Sequence, residues 1–144
     1  MPDPTPEQLS ENFTRTELEC RCGCGTCNVE QSLLDALEQF RRLVNQPIII
    51  NSGYRCSKHN EESNGQPDSQ HMSGRAADIR VSGKKARELY ALAQRIPSIR
   101  GIGVDDYRDY IHIDTRPGLY APVKWCYGWD RLPTPWHEEP AKSA

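Results

Sequence analysis

Two histidines that lie beside carboxylates are the residues of this chain best suited to chemistry. His71 and Asp78 are separated by six residues, among them a glycine and two alanines, so a tight turn can bring both side chains to one point. His112 lies between Asp109 and Asp114. Imidazole and carboxylate groups exchange protons near neutral pH and also ligate zinc. On spacing alone, however, a loop histidine is more often solvated or hydrogen-bonded than functional.

Short strands are predicted to position these side chains. Four segments have the composition of strands: residues 48–50, 76–81, 101–104 and 110–115. An acidic turn over residues 105–109 joins the last two. Residues 57–70 contain hardly any apolar side chain, which predicts a long surface loop that leads into His71.

Helices are predicted between and before the strands, over residues 14–20, 29–44 and 84–96. Thr14 followed by Glu17 is a capping-box pattern for the first helix. Asn28 is the predicted N-cap of the second, which ends before Pro47. Helices first, then strands mixed with one helix, predict an α+β fold: a small, mainly antiparallel sheet with flanking helices.

Length and charge favour a single domain without a nucleic-acid or membrane partner. The 144 residues match one domain, with residues 1–12 and 133–144 expected to be flexible tails. The 18 Lys and Arg residues nearly balance 20 Asp and Glu residues, which argues against nucleic-acid binding. The longest apolar stretch, residues 89–93, is too short to span a bilayer.

A longer pattern around the first histidine resembles a known family. The zinc D-Ala-D-Ala carboxypeptidases and related murein endopeptidases, whose fold is shared with the hedgehog signalling domain, have the signature Ser-x-His-x-x-Gly-x-Ala-x-Asp and a downstream His. This signature is matched by Ser69, His71, Gly74, Ala76, Asp78 and His112. The resemblance includes residues 52–55 and 101–103 and covers residues 13–116. The Phe-Thr-Arg-Thr-Glu-Leu and Cys-Gly-Cys-Gly segments are similar to bacteriophage and prophage members.

By this resemblance, His71, Asp78 and His112 are the expected ligands of a catalytic Zn²⁺. Two imidazoles and one carboxylate leave a fourth tetrahedral position for water. In many relatives an acid three residues before the last histidine is the general base, and Asp109 has that position. Because strand residues alternate between faces, Asp109 needs a bend to reach this site, whereas Asp114 shares the face of His112. Asp109 therefore ranks first as base, with Asp114 as a partner of His112 or a rival base.

The resemblance also implies substrate contacts. Arg55 matches an arginine that faces the substrate or the developing oxyanion in relatives, although it could be a surface arginine in a turn. Ser69 matches a serine that contacts the substrate peptide, although it could merely cap the turn. Tyr110 stands where many relatives have another histidine, so the role of that histidine is either absent or taken over by the Tyr110 hydroxyl. Trp136 and His137 resemble the ending of some relatives, but the accompanying Glu is missing and His137 is expected to be inert.

The cysteines allow several interpretations: Cys20, Cys22, Cys24 and Cys27 lie within eight residues, and Cys56 and Cys126 are distant. Cys24 and Cys27 have the spacing of one zinc knuckle, but no second such pair exists, so a zinc ribbon is poorly supported. Disulfides between Cys56 and the N-terminal cysteines are an equal alternative to a structural metal, and free thiols are a third.

The resemblance to murein peptidases implies a zinc metallopeptidase that hydrolyses amide bonds in peptidoglycan stem peptides or cross-links, with a carboxylate general base. The alternative is a non-catalytic zinc-binding module of hedgehog-like fold that acts in structure or partner binding. Residues 1–12 are Pro-rich and acidic, so we expect the protein to be made in the cytoplasm without a signal peptide. As a phage endolysin or virion protein it would reach the cell wall after release and act as a monomer.

Overall fold

The computed structural model describes residues 7–63, 65, 69–117 and 122–127. Its elements follow one another along the chain in this order: β1 (Gln8–Ser10), β2 (Phe13–Thr14), α1 (Arg15–Leu18), α2 (Gln31–Val44), β3 (Ile49–Ser52), α3 (Ser57–Glu62), β4 (Ala76–Arg80), α4 (Ala86–Ala93), β5 (Gly101–Asp105), β6 (Tyr110–Asp114) and β7 (Val123–Cys126). None of these helices is long and apolar enough to cross a membrane. The predicted tail at residues 133–144, with Trp136 and His137, lies outside the described residues.

A five-stranded sheet in the order β3-β4-β6-β5-β7 forms the centre of the fold. All neighbouring strands are antiparallel except β5 and β7, which are parallel. This is the α+β architecture that the sequence predicts. Strand β7 is not among the predicted strands, because four residues carry too little periodicity and their pairing with β5 is a long-range contact.

The two faces of this sheet have different roles. Alternate residues of β4 and β6 belong to one hydrophobic cluster with side chains of α2 and α4: Ala77, Ile79, Ile111, Ile113, Leu33, Leu37, Phe40 and Leu89. Burial of each leucine or isoleucine stabilises the fold by ~1.5–3 kcal/mol relative to exposure. The intervening residues of these strands point to the opposite face, because strand side chains alternate. That opposite face carries Asp78, His112 and Asp114.

Helix α2 begins later than predicted. Its N-cap is Glu30 rather than Asn28, because the Glu30 amide donates to the carbonyl of Gly74 (2.8 Å) and holds the preceding backbone extended. The helix ends at Asn45, whose left-handed conformation (φ 53°) stops it before Pro47. Helix α4 is likewise shorter than the predicted span, residues 84–96.

Two segments predicted without regular structure belong to the fold. The predicted loop over residues 57–70 begins with α3, which forms because Cys56 caps it: the Cys56 Sγ accepts a hydrogen bond from the His59 amide (3.5 Å). The predicted flexible tail over residues 1–12 is also wrong for residues 8–12. Strand β1 pairs with β2, and the Ser10 hydroxyl donates to Glu38 of α2 (2.6 Å).

Candidate metal centre

The three predicted metal ligands converge on one point. Strands β4 and β6 pair so that Asp78 lies opposite His112. Asp78 Oδ1 is 3.2 Å from His71 Nε2 and 3.1 Å from His112 Nδ1. One ligand atom from each of the three residues lies within 4.8 Å of the others. Two imidazoles and one carboxylate at this spacing form the donor set of a catalytic zinc site.

His71 is held by the turn that precedes β4. Its Nδ1 lies 2.7 Å from the carbonyl of Gly53, so this nitrogen carries the proton and donates it, leaving Nε2 free to ligate. The Ser69 hydroxyl accepts from the His71 amide (3.2 Å). Gly74 closes the turn with φ +72°, where an added Cβ would overlap the carbonyl of Asn28. Ser69 is buried and caps this turn. This is the role that the sequence offered as the alternative to a contact with the substrate.

His112 is oriented from its other side by Asp114. His112 Nε2 lies 2.7 Å from Asp114 Oδ2, and Arg116 holds the same carboxylate through Nε (2.8 Å) and Nη2 (2.7 Å). Asp114 is fully buried and contacts Nε2 of the His112 ring, whereas Asp78 contacts Nδ1 of the same ring. Asp114 is therefore the partner of His112 and does not reach the metal side as a rival base.

Strands β5 and β7 close the space around the His112 ring. The Trp125 ring lies 5.0 Å from the His112 ring between centroids, and the Arg116 guanidinium lies 5.7 Å from the centre of the indole. Gly103 pairs with both His112 and Trp125, and a Cβ there would lie 2.5 Å from the indole nitrogen. Trp125 was not predicted as a residue of this site, because strand β7 was not predicted. Gly103 is the local sign in the sequence that a large ring covers this position of β5.

The charges at this centre suit a cation. Burial favours the neutral form of His71 and lowers its pKa. Burial also opposes the charged form of His112, but hydrogen bonds to Asp114 and Asp78 outweigh it and raise that pKa. For Asp78, burial is outweighed by the two imidazoles, which hold the pKa of the carboxyl far below its usual range. The centre therefore presents an ionised carboxylate between two imidazoles.

A cleft of about 250 Å³ opens beside Asp78 and is lined by Arg21, Asn51, Ser52, Arg55, His59 and Ser63. Arg55 Nη2 lies 3.9 Å from Asp78 Oδ2, and Nη1 donates to the Asn60 amide oxygen (3.4 Å). The structure thus places Arg55 beside the ligands, while its contact with substrate stays a prediction. His59 and Asn60 were not predicted to lie at this site, because the residues of α3 were predicted to form a loop. The available signal was Cys56, which lies three residues before His59, the spacing of a helix N-cap and the amide that it caps.

Asp109 does not lie at this centre, so its prediction as the nearby base is wrong. It adopts a left-handed conformation (φ 53°), and its carboxylate accepts from the Ala86 amide (3.3 Å) and the Lys85 ammonium (3.4 Å). These groups begin α4, whose Leu89 packs with Ile111 and Ile113 on the face of the sheet opposite His112. The turn before β6 therefore directs this carboxylate towards a helix N-terminus, where a negative charge is stabilised.

Tyr110 lies on the same side of β6 as His112. Its ring packs against Tyr127 at 5.9 Å between centroids. Burial and the nearby charge of Asp78 raise the pKa of Tyr110 to about 12. Its hydroxyl is therefore neutral at physiological pH and can donate a hydrogen bond, as its predicted substrate-binding role requires.

Comparison with known protein families finds a similarity over most of the chain. The family model described as Peptidase M15 matches residues 11–114, which include the three candidate ligands, Arg55 and strands β2 to β6. No curated protein matches the chain.

Proposed function

The chain belongs to the peptidase M15 family, and from that membership we propose that this metallopeptidase uses zinc to cut amide bonds in peptidoglycan stem peptides or cross-links. One observation carries the proposal: His71 Nε2 and His112 Nδ1 both lie within 3.2 Å of the same Asp78 oxygen. The remaining ring nitrogens are occupied by protein acceptors, so the arrangement leaves a lone pair on each ring for a metal.

These three residues would hold the zinc ion, and Asp114 would keep His112 in place behind it. When bound, zinc polarises the scissile carbonyl and lowers the pKa of a bound water to ~7. Trp125 covers the His112 ring and excludes water from that side. Tyr110, neutral in this environment, is available as a hydrogen-bond donor to the substrate.

The proton acceptor in this proposal is His59. Asp109 is not available as the acceptor because its carboxylate is hydrogen-bonded to the start of α4. Asp114 is not suited either: burial alone would raise the pKa of its carboxyl, but the hydrogen bonds from Arg116 outweigh burial and hold that pKa far below its usual range. His59 lines the same cleft as Asp78 and Arg55. Histidine is the side chain that most often takes or gives the proton in general acid–base catalysis.

The charge of the cleft supports an anionic peptide substrate. Arg21 and Arg55 both line it, and the buried Arg55 Nε has no hydrogen-bond partner among the residues that the structure describes. A guanidinium held in this way suits the carboxylate of a stem peptide or the oxyanion that develops during cleavage. The resemblance to murein peptidases supports the same substrate class. We propose that the chain acts as a monomer on the cell wall after release from the cell that makes it.

A non-catalytic zinc module remains the second candidate, because the predicted acidic base is not at the site. Mass spectrometry of muropeptides released from purified peptidoglycan distinguishes the two. We expect cleavage by the zinc-loaded protein that a chelator abolishes and added zinc restores. His71→Ala should lose the zinc ion of this centre and the cleavage. Bound zinc without cleavage of several wall chemistries would favour the module.

The proton acceptor has its own test. We expect His59→Gln to keep its zinc but lose most turnover, because a glutamine amide cannot accept a proton near neutral pH. Asp109→Asn is the matched control and should retain both zinc and turnover. If Asp109→Asn lost turnover while His59→Gln kept it, the assignment would be wrong.

A further inference from the structure

A second group of possible ligands lies beside the cleft. The sulfur atoms of Cys20, Cys22, Cys24 and Cys56 all lie within 4.8 Å of one another. The sulfurs of Cys20, Cys22 and Cys56 are separated pairwise by 3.4, 3.6 and 3.6 Å. Zinc–sulfur bonds of about 2.3 Å at tetrahedral angles would place sulfurs about 3.8 Å apart, whereas a disulfide bond is about 2.0 Å long. The spacing therefore fits ligands of one ion, and none of the described cysteines forms a disulfide.

Backbone amides point at two of these sulfurs. The Cys56 amide donates to Cys20 Sγ, and the His59 amide donates to Cys56 Sγ, both at 3.5 Å. Hydrogen bonds of this kind orient the ligand atoms of a metal site. The cysteines thus receive backbone support on the side that faces the protein.

The turn between the N-terminal cysteines accounts for their convergence. Gly23 and Gly25 have φ of +89° and +79°, a conformation that L side chains rarely adopt. Gly23 lies inside the Cys-x-Cys-x-Cys run and Gly25 directly follows it, and the three sulfurs of the run converge at this turn. Cys56 then reaches the same point from the start of α3.

The remaining two cysteines lie elsewhere. Cys27 packs against the hydrophobic cluster, and Cys126 is buried in that cluster on β7. Cys24 and Cys27 have the spacing of one zinc knuckle, but the Cys24 sulfur lies with those of Cys20, Cys22 and Cys56 instead. The ligand set combines a local run with one distant residue, a spacing that no local motif describes.

We propose that Cys20, Cys22, Cys24 and Cys56 bind a second, structural zinc ion, separate from the His71–Asp78–His112 centre. Four thiolates complete a tetrahedron and leave no position for water or substrate, as structural zinc sites do. Soft thiolate ligands also select zinc over magnesium or calcium. The ion joins the N-terminal turn to the start of α3, next to Arg55.

The zinc content of the full-length chain, purified under reducing conditions without chelator, tests this proposal. We expect about two zinc ions per chain in the wild type and about one in Cys22→Ser and in Cys24→Ser, because each removes a ligand. His71→Ala should also retain about one, at the cysteines. Cys27→Ser is the matched control and should keep both.

Cobalt substitution of the wild type gives a readout that does not depend on any variant folding. Cobalt bound to thiolates shows intense sulfur-to-metal charge-transfer absorption, which a His–Asp–His site does not. We expect this absorption in the wild type and in His71→Ala, and its loss in Cys22→Ser.

Two results would overturn the proposal: cobalt-loaded wild type without the charge-transfer band, or peptide mapping that finds Cys20 or Cys56 in a disulfide of the zinc-loaded protein. The outcome is separate from that of the proposed function. Zinc at the cysteines without wall cleavage would contradict the function alone. Wall cleavage by a chain with one zinc ion, lost in His71→Ala and kept in Cys22→Ser, would contradict this inference alone.

Discussion

Each histidine of the metal centre uses one ring nitrogen for a protein acceptor and directs the other towards Asp78. The carbonyl of Gly53 holds His71, and the carboxylate of Asp114 holds His112. Such partners fix the tautomer and the ring orientation and raise the basicity of the ligand. A change in a partner should therefore weaken zinc binding although every ligand is still present.

At Asp114 this effect can be measured. We expect Asp114→Asn to lower zinc affinity or turnover by about 10–100-fold, the usual cost of losing such a partner. The amide oxygen can still accept from His112, but the negative charge that stabilises the imidazole is gone. Competition with a chromogenic chelator measures the affinity. Wild-type affinity in a folded Asp114→Asn would contradict the role given to this carboxylate.

At the scale of elements, strand β5 is shaped by what lies over it. Gly101 leaves room for the Asp114 carboxylate, and Gly103 leaves room for the Trp125 indole. Strand β7 brings Trp125 over Gly103, and β6 brings His112 to its other side. The metal centre is therefore built from four strands, since β4 contributes Asp78. Helix α2 stabilises the fold further away by holding the N-terminal strand β1.

Substitution of Gly103 tests the packing of β5. We expect Gly103→Ala to reduce stability by ~1–3 kcal/mol, the usual cost of overpacking, and to weaken zinc binding because the indole must move from His112. Gly83→Ala is the control: its Cβ meets nothing within 4 Å, and its φ of +80° costs about 1–2 kcal/mol. Denaturant unfolding and zinc titration check both. Unchanged zinc affinity in Gly103→Ala would contradict this packing.

Glu38 gives the anchoring of the N-terminal strand a pH dependence. The Ser10 hydroxyl and the Asn12 backbone and side-chain amides donate to its carboxylate at 2.6–2.7 Å. Burial alone would raise the pKa of Glu38, but these bonds lower it below its usual value. A lowered folded pKa means that the stabilisation is complete above the unfolded pKa of about 4.3 and disappears as the pH falls through the folded value.

We therefore expect Glu38→Gln to be less stable than the wild type by about 1–3 kcal/mol at pH 7, with a difference that shrinks in acid. Urea unfolding at a series of pH values measures it. The exposed Glu61→Gln is the control and should change stability by less than about 0.5 kcal/mol. A stability difference that does not vary with pH would show that the charge of Glu38 is not involved.

At the scale of the molecule, residues 53–56 connect the two groups of ligands. The Gly53 carbonyl accepts from His71, and the Tyr54 amide donates to the carbonyl of Leu18 (2.9 Å). Arg55 then lies beside Asp78, and Cys56 lies in the cysteine cluster. This short segment therefore links the peptidase centre to the N-terminal part of the chain.

Metal removal should reveal which centre stabilises the fold. A bound ion stabilises by about 2.7 kcal/mol when its free concentration is 100 times the Kd. We expect chelation to lower the Tm of the wild type, and Cys24→Ser in zinc to show most of that decrease. His71→Ala in zinc should show less, because the cysteines cross-link segments distant in sequence. Equal decreases in both variants would contradict this difference.

Local patterns in the sequence determined the centre of β4 and β6, the body of α2 and the faces of the strands. The alternation of side chains by itself placed Asp114 with His112 and raised the difficulty for Asp109. The tertiary structure decided what no local window contains: the pairing of β7, the convergence of Cys56 with the N-terminal cysteines, and the cleft that includes His59. The reason is physical, since periodicity reports how one element buries a face, whereas a site depends on contacts between segments far apart in the chain.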